Sequence, residues 1–302
     1  MSELLPIRRS IDWGELAPLR LRAREVAEGV YAGVHRSARR GAGVEFGSYR
    51  EYVPGDDLRW LDRRSLLRHD RLVVRQFETE TDRALCLVVD ASASMAFRGA
   101  SAPGAKLAFA SVIAAALARL AVASGDPVSL TFVGGGGGDA PVARSAGREQ
   151  FERVVAALEA VRPGGDALVD RAMVERALRS AMRGARRGAI TVFISDLIDL
   201  PENAPRSISE VASNGRVLTV VQTLDPTEAT FPYQGTVRLR SLEGDLVVET
   251  DADSTRERYI AALAALTTSW KTAVEQRGGH FVRAVTSEKP LDVVRAVVAS
   301  VR

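Results

Sequence analysis

Cysteine is almost missing: Cys86 is the single thiol in 302 residues. One thiol makes neither an internal disulfide nor a multi-thiolate zinc site, and its place inside Ala84-Leu85-Cys86-Leu87-Val88-Val89 reads as a small core residue. Histidine is scarce too. His35, His69 and His280 lie far apart, with the spacing of neither a metal site nor a catalytic triad. No run approaches the roughly 20 apolar residues that cross a bilayer. The richest stretch, Leu107 to Ala123, is Ala-dominated, carries Arg119, and reads as a packed helix. Met1-Ser2-Glu3-Leu4-Leu5-Pro6 lacks the basic start, apolar run and cleavage site of a signal peptide, so the expected location is the cytoplasm with no membrane span. Aromatic residues make up 6% and the net charge is +3. Residues 1–83 hold 16 arginines against 14 interleaved acids, so no unbalanced basic face with stacking aromatics is available for nucleic acid. Arginine dominates the bases; the three lysines, Lys106, Lys271 and Lys289, suggest no role by themselves. The glycine tract Gly134–Gly138 lacks the Gly-Lys-Ser/Thr of a phosphate loop and reads as a flexible loop, and no Gly-x-Ser-x-Gly nucleophile elbow occurs.

What is present is a balanced globular composition, 46% hydrophobic and 26% charged. Residues 14–33 have helical spacing, and a charged, Gly-punctuated stretch from His35 to Leu67 leads to a strand-like Leu72–Phe77. From Ala84 the rhythm changes. Apolar strands at Ala84–Val89, Val128–Val133, Ala189–Ser195, Arg216–Leu224 and His280–Val285 alternate with helical patterns at Leu107–Ala123, Arg148–Ala160, Leu168–Arg183 and Asn203–Ser213. This alternation predicts an open, mostly parallel α/β sheet, doubly wound with helices on both faces. A hairpin at Arg238–Thr250, a helix at Thr255–Gln276 and a closing helix at Leu291–Val301 complete it. The expected division is a small helix-plus-extended module over 1–83 and the α/β domain over 84–302.

The sharpest motif is Asp90-Ala91-Ser92-Ala93-Ser94, directly after the first strand of the α/β part. Open α/β sheets bind ligands beyond the carboxyl ends of their strands. One carboxylate and two hydroxyls there are hard oxygen donors suited to Mg²⁺ or Mn²⁺. The same residues would also serve as a polar turn capping a helix. The motif resembles the metal-ion-dependent adhesion site of von Willebrand A domains. That resemblance implies that Ser92 and Ser94 contact the metal, that Asp90 acts through water, and that Asp196, in Ile194-Ser195-Asp196, supplies a second carboxylate. The family's threonine is replaced by Asp166 in Pro163-Gly164-Gly165-Asp166, and no Ser or Thr lies between Ala146 and Arg179 to stand in. A third carboxylate either strengthens metal binding and reduces the need for an acidic group on the partner, or leaves the site degenerate.

Upstream, Tyr49-Arg50-Glu51-Tyr52-Val53-Pro54-Gly55-Asp56-Asp57-Leu58-Arg59-Trp60-Leu61-Asp62, continued through Leu72–Phe77 and Glu80, resembles the signature of domain-of-unknown-function family 58, which joins such a stretch to a von Willebrand A-like domain. Arg63 departs from the tryptophan usual there. Pro54-Gly55-Asp56-Asp57 is a turn. Arg50, Asp57, Arg59 and Asp62 have complementary charges for a structural ion-pair network, and Tyr52 and Trp60 are the first candidates if the segment is instead a binding surface. The family resemblance implies a non-enzymatic, metal-dependent adaptor that works with a MoxR-type AAA+ ATPase in assembling or activating a client protein. The alternatives are a metal-independent interaction module with a degenerate site, or a metal-dependent hydrolase for which the sequence names neither base nor pocket.

Overall fold

A computed structural model describes residues 10–38, 49–51, 73–75, 83–136, 141–167, 169–242 and 246–301. The chain forms two units, residues 1–31 with 82–302, and residues 32–81. This division differs from a boundary at residue 83, because the N-terminal segment packs on the sheet domain. Leu16, Leu19, Ala23, Val26, Ala27 and Val30 are buried. Glu15 N–H donates to the Pro103 carbonyl and Ala105 N–H to that of Asp12, and Gly29 lies against Leu291. In the described part of the smaller unit, β1 (Tyr49–Glu51) pairs antiparallel with β2 (Val73–Arg75), with Arg50 opposite Val74.

The first helix, α1 (Leu19–Ala38), is followed in the larger unit by β3 (Leu85–Ala91), α2 (Lys106–Ala123), β4 (Val128–Gly134), β5 (Val142–Ser145), α3 (Arg148–Ala160), α4 (Met173–Met182), β6 (Ile190–Ser195), α5 (Ala204–Ser209), β7 (Val217–Leu224), α6 (Pro226–Thr230), β8 (Thr236–Arg240), β9 (Val247–Asp251), α7 (Ala252–Glu275), β10 (His280–Val285) and α8 (Pro290–Ser300). The main sheet runs β10-β7-β6-β3-β4-β5, parallel except for the edge strand β5, while β8 and β9 form a separate hairpin. The expected doubly wound α/β architecture is therefore present. Continuous apolar strands suit a sheet covered on both faces. One face carries α2, α3 and α8, the other α4, α5 and α7. On the second face Val88, Phe193, Leu218 and Val220 meet Val174, Ala177, Leu178, Ile208, Trp270 and Val274. The apolar spacing of Val174, Ala177, Leu178 and Ala181 is what turns one side of α4 to that core.

Some expectations need correction. By length and composition α2 is long and apolar enough to cross a membrane, but 72% of it is buried within the domain. The helix expected from Leu168 starts at Met173, because Asp166 and Asp170 close turns before it: Asp170 N–H donates to the Asp166 carbonyl and Met173 N–H to that of Asp170. The described glycines after β4 are held rather than loose, with Gly135 donating to the Gly164 carbonyl (2.7 Å) and Gly136 to that of Arg162 (2.9 Å).

Candidate functional site

The carboxyl ends of β3 and β6 adjoin in the sheet, and β3 is where the strand order turns: β4 lies on one side of it, β6 and β7 on the other. Loops leaving parallel strands at such a turn diverge and leave a crevice between them. Asp90 is the penultimate residue of the wholly buried β3, and Asp196 follows β6 directly. Both are fully buried. The Asp90 carboxylate accepts from Ser92 N–H at Oδ1 (2.9 Å) and from Ser195 Oγ at Oδ2 (2.6 Å). Ser195 Oγ in turn accepts from Leu197 N–H (2.9 Å), so one hydroxyl ties the two loops together. Burial, and then the neighbouring Asp196, push the Asp90 carboxyl up to about 6.

The loop at 163–166 closes on the same place. Gly164 N–H donates to the Ala91 carbonyl (2.8 Å) and Ala93 N–H to that of Gly165 (3.2 Å). Gly134 permits this approach. Its φ is +70°, and a Cβ there would lie 2.8 Å from the Gly164 carbonyl oxygen and 3.2 Å from Ser92 Cα. Asp166, beyond this contact, accepts from Val169 N–H (3.2 Å). Burial raises the Asp199 carboxyl, and the charges of Asp196 and Asp166 add to it. The structure thus brings Asp90, Ser92, Ser94, Asp166 and Asp196 to one rim.

The donor set fits a small divalent cation in its hydroxyls. Ser92 Oγ and Ser94 Oγ are hydrogen-bonded to each other at 3.1 Å, and hydroxyls are among the hard oxygen donors that Mg²⁺ and Mn²⁺ take. Ser92 is buried and Ser94 lines an adjoining cleft. Among the described residues no group of three or more His, Cys, Asp or Glu side chains is gathered around one point. An ion here would be held by Ser92 and Ser94, with the carboxylates of Asp90 and Asp196 supplying nearby negative charge.

Sequence reading missed Lys106. This lysine, at the start of α2, has no exposed surface, and its ammonium donates to Asp196 Oδ2 (2.7 Å) and Glu228 Oε1 (2.5 Å). Burial alone would lower its pKa, but Asp196 and Glu228 together raise it. The signal was present: a helix N-terminus repels a cation, so a lysine opening an Ala-rich helix calls for carboxylate partners. Glu228 was missed as well. Asp225-Pro226-Thr227-Glu228 forms a capping box on α6, with Asp225 accepting from Thr227 N–H and Glu228 from Asp225 N–H. Asp225 also accepts from Gly99 N–H (2.8 Å). The cleft, of about 210 Å³, has Ser94, Asp196, Asp199 and Glu228 on its polar side and Phe97, Phe231, Tyr233 and Tyr259 among its apolar lining. Phe231 packs on Tyr233 and Tyr259, with ring centroids 5.2 and 4.7 Å apart.

Of the upstream signature, Arg50 stands in β1. Tyr52, Gly55, Asp56, Asp57, Arg59, Trp60 and Asp62 lie outside the described residues, and so does the ion-pair network expected of them.

Uncharacterized protein Rv1480 of Mycobacterium tuberculosis is 31% identical over 268 residues, which cover 86% of this chain and 81% of that protein. An uncharacterized protein of Mycobacterium bovis matches equally. Similar solved structures include BatB of Bacteroides thetaiotaomicron, a conserved hypothetical protein (19% identity, 72% of this chain and 98% of that one, TM-score 0.43). An aerotolerance-related membrane protein of Bacteroides fragilis (18%, 72% and 98%, TM-score 0.45) and an Rpn10 von Willebrand A domain (12%, 70% and 93%, TM-score 0.37) also match. The expectation of a cytoplasmic chain is withdrawn; two of the matching structures are of proteins described as membrane or membrane-spanning. The physical reason is that the absence of a recognisable signal peptide does not fix a compartment. The model for the family described as protein of unknown function DUF58 matches residues 48–269, about three quarters of the chain, and the chain belongs to that family.

Proposed function

We propose that this protein is a non-enzymatic binding module that presents the carboxyl rim of its sheet to another protein, with Mg²⁺ or Mn²⁺ held at Ser92 and Ser94. The observation that carries the reading is the convergence of three loops on one rim. Two adjacent hydroxyls sit there beside buried Asp90 and Asp196, next to an open cleft with aromatic walls. When bound, the ion supplies an electrophilic centre that a carboxylate of the partner can complete. The chain's own residues do the rest. Ser195 and Ser92 N–H fix Asp90, Ile198 N–H fixes Asp196 through its Oδ1 (3.0 Å), and the backbone clamp at Gly134 and Gly164 holds the third loop in place. The family resemblance suggests a MoxR-type AAA+ ATPase and its client as partners, the ATPase providing hydrolysis.

The test is retention of a purified MoxR-type ATPase on the immobilised full chain, in Mn²⁺ and in EDTA. Retention in Mn²⁺ that is lost in EDTA and in Ser94→Ala supports the reading. Equal retention in EDTA removes the metal requirement, and no retention in either buffer removes this partner. Lys106 favours a second reading, a rim that binds without metal, because a cation of the protein's own already offsets part of the carboxylate charge.

A further inference from the structure

A buried lysine is costly unless its ammonium is paired, and removing one partner of such a pair leaves an uncompensated charge. Lys106 bears that cost at a place the helix dipole also disfavours, so its two carboxylate partners must account for it. Both partners are fixed. Asp196 is tied by Ile198 N–H (3.0 Å). Glu228 is tied through Oε2 to Asp225 N–H (2.9 Å), while Asp225 holds Gly99 N–H (2.8 Å). The ammonium therefore joins the loop after β3, the loop after β6 and the turn after β7 into one unit, 5.9 Å from the Phe97 ring.

We propose that Lys106 is a resident cation of the rim: it holds Asp196 and Glu228 together when no divalent ion is present, and it weakens the site's hold on Mg²⁺ or Mn²⁺. The inference rests on the reading that such an ion sits at Ser92 and Ser94. Lys106 and Asp196 are both fully buried and 2.7 Å apart, so the ammonium takes up attraction that Asp196 would otherwise give an incoming ion. The rim stays assembled without metal, and the ion becomes a weakly held ligand whose occupancy follows its concentration and the contribution of a bound partner.

The experiment is titration of the full-length chain with MnCl₂ by calorimetry, together with melting curves in EDTA and in Mn²⁺. Wild type is compared with Lys106→Met, Glu228→Gln and Ser94→Ala. Lys106→Met should bind Mn²⁺ about tenfold or more tighter, since one unit charge in a dry site readily outweighs the energy of a tenfold change. It should melt lower than wild type in EDTA and recover more of its melting temperature in Mn²⁺. That recovery is readable even if the variant is largely unfolded without metal. Glu228→Gln leaves the ammonium to Asp196 alone and should bind Mn²⁺ several-fold more weakly. Mn²⁺ affinity in Lys106→Met equal to or below wild type, or affinity in Glu228→Gln equal to or above it, overturns the proposal. If binding is present and lost in Ser94→Ala but unchanged in Lys106→Met, the role of Lys106 falls and the metal site stands. If no variant responds to Mn²⁺, both fall.

Discussion

Replacing Gly134 with alanine tests whether the rim depends on close backbone approach. The glycine ends β4 at φ +70°. An alanine there costs about 1–2 kcal/mol for the left-handed backbone alone. Its Cβ would also sit 2.8 Å from the Gly164 carbonyl oxygen and 3.2 Å from Ser92 N and Cα. Neither neighbour gives way easily, because Gly164 N–H is bonded to Ala91 and its carbonyl receives Gly135 N–H. Relieving the clash means breaking one of these bonds, about 1 kcal/mol more. The sum is about 2–3 kcal/mol, which at roughly 2–4 °C per kcal/mol for a domain of this size is a fall in melting temperature on the order of 5–10 °C. Gly125→Ala is the control, since Gly125 has φ +83° but no atom within 4 Å of a built Cβ. It carries the conformational cost without the clash. Urea denaturation should show Gly134→Ala losing about 1 kcal/mol or more beyond Gly125→Ala, and Mn²⁺ titration should show weaker binding in the first variant alone. Equal losses in the two variants, with unchanged metal binding, would refute the reasoning.

Two further outcomes follow from the buried carboxylates. Asp90 is raised to about 6, above its ordinary value of 3.8, so the folded state holds its proton more tightly than the unfolded chain and loses stability as pH rises from about 4 to about 6. In EDTA, the melting temperature of wild type relative to Asp90→Asn should fall across that window, and a flat difference would count against the burial and the Asp196 repulsion that cause the shift. Ser195→Ala removes the hydroxyl that both donates to Asp90 and accepts from Leu197 N–H. Leaving two buried groups unpaired should cost about 2–4 kcal/mol in urea denaturation, and a loss under 1 kcal/mol would show that water replaces the hydroxyl.

The alternation of apolar runs and helical patterns was enough to place β3, β4, β6, β7 and β10 within a residue or two: the four inner strands are buried and largely apolar, while the half-exposed edge strand β10 followed from its place after the long helix. The edge strand β5 was not legible: Val142-Ala143-Arg144-Ser145 is short and half-exposed, and its pairing with β4 is visible in space alone. The short helix α6 was written in Asp225-Pro226-Thr227-Glu228, a capping signal that went unread because the segment is too short to show a period.

The sequence alone determined the fold class and the place of Asp90, Ser92 and Ser94 after the first strand, because each is a local property of the strands and their first turns; Asp196 was named only through a family resemblance. The tertiary structure decided what balances the charge of the rim. Lys106 lies 90 residues from Asp196 and 122 from Glu228 in the chain, and no local pattern links them. They meet because the sheet order sets β3 beside β6 and the loops after β3, β6 and β7 converge, and because an ammonium with no exposed surface is stable where carboxylates from two of those loops reach it.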